Sequence, residues 1–143
     1  MIAHKEPGKK VPTFNLDGGE NGFLIELFKG EDGKKTLVYL SCVRKGHHKG
    51  YHLHRVREAR YMCVKGKVKI TLYNVYTKEK EEHILDSKKP ERLFIPKNIA
   101  TGIINIGDED AWLINYPEPP YDPDFLDEQV EYEEEDFEKG IIK

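Results

Sequence analysis

Apolar and polar residues alternate along most of this chain in short runs, each closed by turn residues. The clearest run is Lys67-Val68-Lys69-Ile70-Thr71-Leu72-Tyr73, where Val68, Ile70 and Leu72 share one face and Lys67, Lys69 and Thr71 the other. Strand side chains alternate with period 2, so this pattern predicts a half-buried antiparallel strand. Strand-like runs also lie at 23–28, 36–43, 60–64, 83–85, 92–96, 101–105 and 111–116. Gly30-Glu31-Asp32-Gly33 predicts a hairpin between the first two, Lys65-Gly66 a turn, and Gly107-Asp108-Glu109-Asp110 the last hairpin turn. Many short strands with almost no helical periodicity imply an all-β sandwich or barrel, the jelly roll being one closed solution. A short helix is expected only within the C-terminal segment 124–137, after an extended exit marked by Pro117, Pro119, Pro120 and Pro123.

The 143 residues suit one domain: an N-terminal arm over 1–20, a β domain over 21–121 and an acidic tail over 122–143. Charged residues make up 34% of the chain, yet the formal net charge is only -3. Both signs are therefore mixed over the surface, and no nucleic-acid partner is expected. Residues 1–12 are polar and basic, so no secretory signal is expected there, and no apolar run reaches membrane-spanning length. The expected location is cytoplasmic, without membrane contact. Cys42 and Cys63 lie in apolar runs and read as buried thiols of a reducing compartment, with a bridge between them left open. Trp112 reads as core.

The stretch with the most chemistry is Lys49-Gly50-Tyr51-His52-Leu53-His54-Arg55. Two histidines one residue apart on a strand present both imidazoles to one face. Imidazole titrates near neutrality and suits a proton-transfer base. Tyr61 has the parity of a cavity-facing residue and offers a hydroxyl acid. Lys49 and Arg55 read either as cations for phosphate oxygens or as solvated surface residues.

These motifs resemble the cupin superfamily from about residue 21 to residue 121. Gly46, His52, His54 and Gly66 fit its first motif, but Ala59 stands where a ligand Glu is usual, with Glu58 beside it on the opposite parity. Pro96, Asn98, Thr101 and Asn105 fit its second motif, with Thr101 in place of the third histidine. Three or more ligands make a catalytic metal site, so neither a metal nor another cofactor is expected. Within the superfamily the chain is similar to dTDP-4-dehydrorhamnose 3,5-epimerases and dTDP-4-keto-6-deoxyglucose 3,4-ketoisomerases. Lys49 to Arg55 is similar to the ketoisomerases' Arg-Gly-x-His-x-His-Lys, Asn21 to Phe28 to the epimerases' Arg-Gly-x-Phe-x-Glu-x-Phe, and Tyr121-Asp122-Pro123-Asp124 to the epimerases' Tyr-x-Pro-Glu.

The resemblance implies a double-stranded β-helix, the cupin jelly-roll barrel, and a homodimer. It also implies metal-independent epimerisation or ketoisomerisation of a nucleoside-diphosphate 4-keto-6-deoxy sugar. His52 is then the base and His54 the second catalytic histidine, while Lys49, Arg55, Tyr121, Asn105 and Glu26 bind substrate. Pro120-Tyr121 replaces the epimerases' tyrosine pair, and their late Asp has no counterpart. Two alternatives stay open: a non-catalytic cupin that binds a sugar or nucleotide sugar, and a metal-dependent cupin enzyme using His52 and His54.

Overall fold

The structure is a computed structural model that describes residues 3, 5, 9–29, 37–118, 124 and 127–143. Among them are eleven strands and one short helix. A six-stranded antiparallel sheet contains β1 (Lys9–Phe14), β2 (Glu20–Lys29), β3 (Leu37–Val43), β5 (Ala59–Lys65), β8 (Arg92–Ile95) and β10 (Ala111–Asn115) in the order β1-β2-β3-β10-β5-β8. A five-stranded antiparallel sheet contains β4 (His48–His54), β6 (Lys67–Asn74), β7 (Lys80–Asp86), β9 (Ile99–Asn105) and β11 (Gln129–Glu131) in the order β11-β4-β9-β6-β7. The helix α1 (Glu134–Glu138) follows β11.

The closed cupin jelly-roll barrel is therefore corrected. Among the described residues the two sheets are open, with β1 and β8 as edges of one and β11 and β7 as edges of the other, and no ladder joins them. The chain steps from sheet to sheet at two of the turns that the sequence predicts. Gly66, at φ 77°, carries it from β5 into β6. The 107–110 turn carries it from β9 into β10 and so does not close a hairpin. The hairpin expected between the first two runs does form as the β2–β3 pair, although residues 30–36 lie outside the described residues. The helix expected over 124–137 shortens to Glu134–Glu138, because 129–131 is a strand.

The alternation found in β6 explains where the core sits. Val68, Ile70 and Leu72 are buried with Val43, Cys63, Leu85, Ile95, Ile103, Ala111 and Leu113 between the sheets. Cys42 and Cys63 are both buried and free, with no disulfide between them. Trp112, paired with Cys42 on the outer face, is 37% exposed and covered by Lys65, so it is not core. A second cluster lies on the outer face of the five-stranded sheet, where Leu53, Val75, Ala100 and Tyr132 pack with Tyr51, Tyr73, Val130 and Phe137. Phe137 of α1 stacks on Tyr73 with ring centroids 4.0 Å apart and meets Tyr51 edge-on at 4.9 Å. Aromatic contacts of this kind add to the area they bury, so they pin the tail to the sheet.

In β4 the register against β9 pairs Lys49 with Ile103 and His52 with Thr101, a shift of one residue. This bulge places one extra residue in β4, and Lys49 joins Ile103 on the inner face. Lys49 is only 8% exposed, and its Nζ donates to Ser41 Oγ at 2.8 Å and the Phe23 carbonyl at 3.4 Å. Burial pushes its pKa down to about 8.

Two predictions follow from this packing. A Cβ on Gly22 would lie 1.8 Å from the Cys42 carbonyl oxygen, whereas one on Gly18 has nothing within 4 Å. Gly22→Ala is therefore expected to cost about 3 kcal/mol or more in unfolding free energy, and Gly18→Ala, at φ 91°, about 1 kcal/mol. Denaturant midpoints check this, and equal losses contradict it. For Lys49, the unfolded chain holds the proton up to a pKa near 10.5 while the folded chain releases it near 8. The unfolded state binds more protons in that window, so stability rises with pH. From pH 8 to 10 the wild type should gain up to about 3 kcal/mol that Lys49→Met does not; parallel curves contradict the burial of a charged amine.

Candidate functional site

The inner face of the five-stranded sheet carries Val68, Ile70 and Leu72 of β6, paired with Asn105, Ile103 and Thr101 of β9. His52 pairs with Thr101, so its imidazole is on that face, and His54 shares its parity. Beyond β4 the edge strand β11 pairs Glu131 with His52, Val130 with Leu53 and Gln129 with His54. Val130 therefore joins the outer cluster, while Gln129 and Glu131 join the histidines.

His52 Nδ1 is 2.8 Å from the Glu131 carboxylate, and Gln129 Nε2 donates to Glu131 Oε1 at 2.7 Å. Burial pushes the Glu131 carboxyl up, but hydrogen bonding and charge from His52 outweigh it and hold it below its ordinary value. The His52–Glu131 pair is about 40% exposed on both side chains, which leaves it at a rim open to solvent.

His54 is more enclosed, with 25% of its side chain exposed. Its Nδ1 is 2.8 Å from Arg57 Nη2 and 3.1 Å from Glu128 Oε2. Glu128 and Arg57 are both buried, and Glu128 Oε1 accepts from Arg57 Nε at 3.0 Å and from the Arg57 backbone N–H at 3.1 Å. Burial first, and then the Arg57 charge, push the His54 imidazole below its ordinary pKa, against the opposing pull of Glu128. Burial raises the Glu128 carboxyl, yet the hydrogen bonds it accepts from Arg57 outweigh this and bring it below the usual carboxylate value.

The other residues singled out in the sequence are dispersed. Tyr61 packs against the inner core from the facing sheet, and burial raises its phenol pKa. Glu26 pairs with Tyr39 on the inner face of the six-stranded sheet. Lys49 shares the inner face with the histidines, but its amine is held by Ser41 and Phe23. Arg55 turns to the tail, where Nη1 donates to the Asp127 carbonyl at 2.8 Å and Nη2 to the Lys143 carbonyl at 3.0 Å. Asn105 sits four residues from Thr101, about 13 Å along the strand. There its Nδ2 donates to the Val43 and Glu109 carbonyls at 3.0 and 2.8 Å, and its Oδ1 accepts from Gly107 N at 2.9 Å. Tyr121 lies outside the described residues. Glu58 lies toward Arg60 at 3.7 Å, and Ala59 packs on the core.

Beside the His52–Glu131 pair opens a cavity of about 580 Å3. Most of its wall is the outer face of the five-stranded sheet, including Tyr51, Lys69, Thr71, Lys80 and Gly102. The cavity and the inner-face histidines meet at His52 and Glu131. Its floor depends on Gly102, because a Cβ there would lie 2.6 Å from the Tyr51 ring. Tyr51 and Tyr73 both donate to the Glu134 carboxylate, Tyr73 at 2.8 Å.

Sequence reasoning missed Arg57, Glu128, Gln129 and Glu131. The signal was present in Gln129-Val130-Glu131-Tyr132, which alternates polar and apolar, inside a stretch that reads as a solvated acidic run. Among the described residues no helix is long and apolar enough to cross a membrane.

A family model described as the polysaccharide biosynthesis C-terminal domain matches residues 17–129. The chain is similar to the "Probable low-salt glycan biosynthesis epimerase Agl13" of Haloferax volcanii, 24% identical over 130 residues that cover 84% of this chain and 83% of that protein. Among solved structures it is similar to the capsular polysaccharide assembling protein CapF from Staphylococcus aureus, with a TM-score of 0.73 and 24% identity. That match covers 87% of this chain and 34% of CapF, so the chain spans about a third of CapF's length. It is also similar to protein SO0799 from Shewanella oneidensis, with a TM-score of 0.65 and 16% identity, covering 87% of this chain and 80% of that one. At these identities the two structures speak for the fold alone. The assignment drawn from the His52–His54 motif is corrected accordingly: the matches name polysaccharide and glycan biosynthesis proteins, and the two sheets do not close into the barrel that assignment requires. The chain belongs to the polysaccharide biosynthesis C-terminal domain family.

Proposed function

We propose that the chain is a sugar-modifying enzyme that epimerises or ketoisomerises a nucleoside-diphosphate 4-keto sugar, with His52 rather than a metal ion moving the proton. The observation that carries this reading is the 2.8 Å contact between His52 Nδ1 and Glu131. A carboxylate behind an imidazole orients the ring and stabilises the imidazolium that forms when the ring takes a proton. A proton α to a ketone is a suitable target, because the resulting charge spreads onto the carbonyl oxygen. The cavity beside the pair is within the size range of small-molecule sites and takes the nucleotide end, while the sugar reaches past the His52–Glu131 rim to the inner face. Lys69 and Lys80 in its wall share the Glu82 carboxylate, which leaves a net positive charge among the three for a diphosphate. Similarity to a protein named as a glycan biosynthesis epimerase supports the reaction class.

Solvent deuterium entering a nucleotide-linked 4-keto sugar, followed by proton NMR over a panel of nucleotides, tests the proposal. His52→Ala should slow exchange roughly 1,000-fold or more. Glu131→Gln, which keeps the shape but removes the charge, should slow it roughly 10- to 100-fold. Wild-type exchange in His52→Ala would remove the residue from the base role.

A further inference from the structure

The two histidines differ in the chemistry of the group that holds Nδ1. For His52 that group is the Glu131 carboxylate at 2.8 Å. An ionised carboxylate only accepts hydrogen bonds, so Nδ1 carries the hydrogen and Nε2 keeps its lone pair. Gln129 Nε2 lies 3.2 Å from the same nitrogen, but it donates to Glu131 Oε1 over the shorter distance of 2.7 Å.

For His54 the nearer group is Arg57 Nη2, at 2.8 Å. A guanidinium only donates and does not lose its proton in proteins. That contact is shorter than the 3.3 Å one from the same nitrogen to Gln129 Oε1, and as a donated bond it takes a lone pair on Nδ1 and places the hydrogen on Nε2. Glu128 Oε2 is farther, at 3.1 Å, and the other oxygen of Glu128 is already occupied by two N–H groups of Arg57. The charged and titratable groups that face His54 are Arg57 on its own loop, Glu128 ahead of β11 and His52 on the same strand face. Burial and the Arg57 charge outweigh Glu128 and favour the neutral ring. Among the described residues no hydrogen bond is made to Nε2 of either histidine.

One face of β4 thus presents an Nε2 lone pair at His52 and an Nε2–H at His54, two residues apart. We propose that Arg57 is a positioning residue that fixes His54 as a neutral Nε2–H donor, and that this donor holds the substrate carbonyl oxygen while His52 removes the adjacent proton. This rests on the proton-transfer function proposed above. In the step, the α C–H bond breaks and its proton goes to His52 Nε2. The bonding pair becomes the enolate double bond, and the carbonyl π pair moves onto the oxygen held by His54. Return of a proton to carbon restores the ketone, and no oxidant or reductant is consumed. Donors aimed at an oxygen where charge develops are among the strongest contributions to such reactions.

Long-range nitrogen–proton NMR of the imidazoles in the intact protein reads both tautomers without substrate. His52 should appear as Nδ1–H and His54 as Nε2–H near neutral pH. In Arg57→Gln, His54 should turn to Nδ1–H toward Glu128, and the acidic limb of the kcat–pH profile should move toward neutrality. kcat for exchange should fall roughly 100-fold, with KM changing little. Should Arg57→Gln fail to fold, the wild-type spectrum decides the matter alone. His54 as Nδ1–H in the wild type overturns the inference whatever the activity. Unchanged kcat and an unchanged pH profile in a folded Arg57→Gln also overturn it. The expected tautomers with no exchange into any keto sugar overturn the proposed function instead, and with it the catalytic part of this inference.

Discussion

The register of β4 against β9 slips by one residue between Lys49 and His52, and the chemistry of the interior depends on that slip. In a regular strand, Lys49 would face opposite to His52 and His54. The bulge brings all three onto the face that looks across to the six-stranded sheet. Tyr51, at the bulge, goes to the other side, where it lies over Gly102 and meets Phe137. One extra residue therefore puts the Lys49 amine on the same face as the two imidazoles and gives the outer face its aromatic anchor. Bulges recur where a side chain must be re-aimed, and here they re-aim two imidazoles and an amine.

The second requirement is the tail. β11 adds to the edge of β4 and supplies Glu131 to His52, while Glu128, one residue ahead of it, reaches His54 and Arg57. The strand is only three residues long and does not hold itself. Backbone bonds between Tyr51 and Tyr132, the stacked Tyr73 and Phe137 rings, and the clasp of Arg55 on the Asp127 and Lys143 carbonyls hold it in place. Arg55 thus serves the site by fixing the segment that carries its carboxylates. Tail docking and histidine orientation form one cooperative unit, since the same residues serve both.

Much of the sandwich was legible because burial imposes a period. Val68, Ile70 and Leu72 could belong only to a strand with one face in the core, and His52 and His54 inherit a shared face from the same rule. That the two sheets stay open was not legible, because closure depends on which edges pair, and alternation within one strand says nothing about its neighbours. The turn at Gly66 and the hairpin turn expected at 107–110 both carry the chain between sheets. The bulge was hidden too, with Gly50 as its one local hint. Glu131 escaped because acidic residues in a run read as solvated until the alternation of Val130 and Tyr132 is noticed. Asn105 was legible as an important polar residue, but its bonds to Val43, Glu109 and Gly107 give it the work of shaping a turn.

In the proposed mechanism His52 and Glu131 act as one unit across the edge of the sheet. A double-mutant cycle on solvent exchange into the keto sugar tests this most directly, with His52→Ala, Glu131→Gln and the combined variant compared. Residues that act as a unit are strongly non-additive, so the account predicts that the double variant is no slower than His52→Ala alone. Losses that multiply, with the double variant slower than His52→Ala by the full factor of Glu131→Gln, would contradict it.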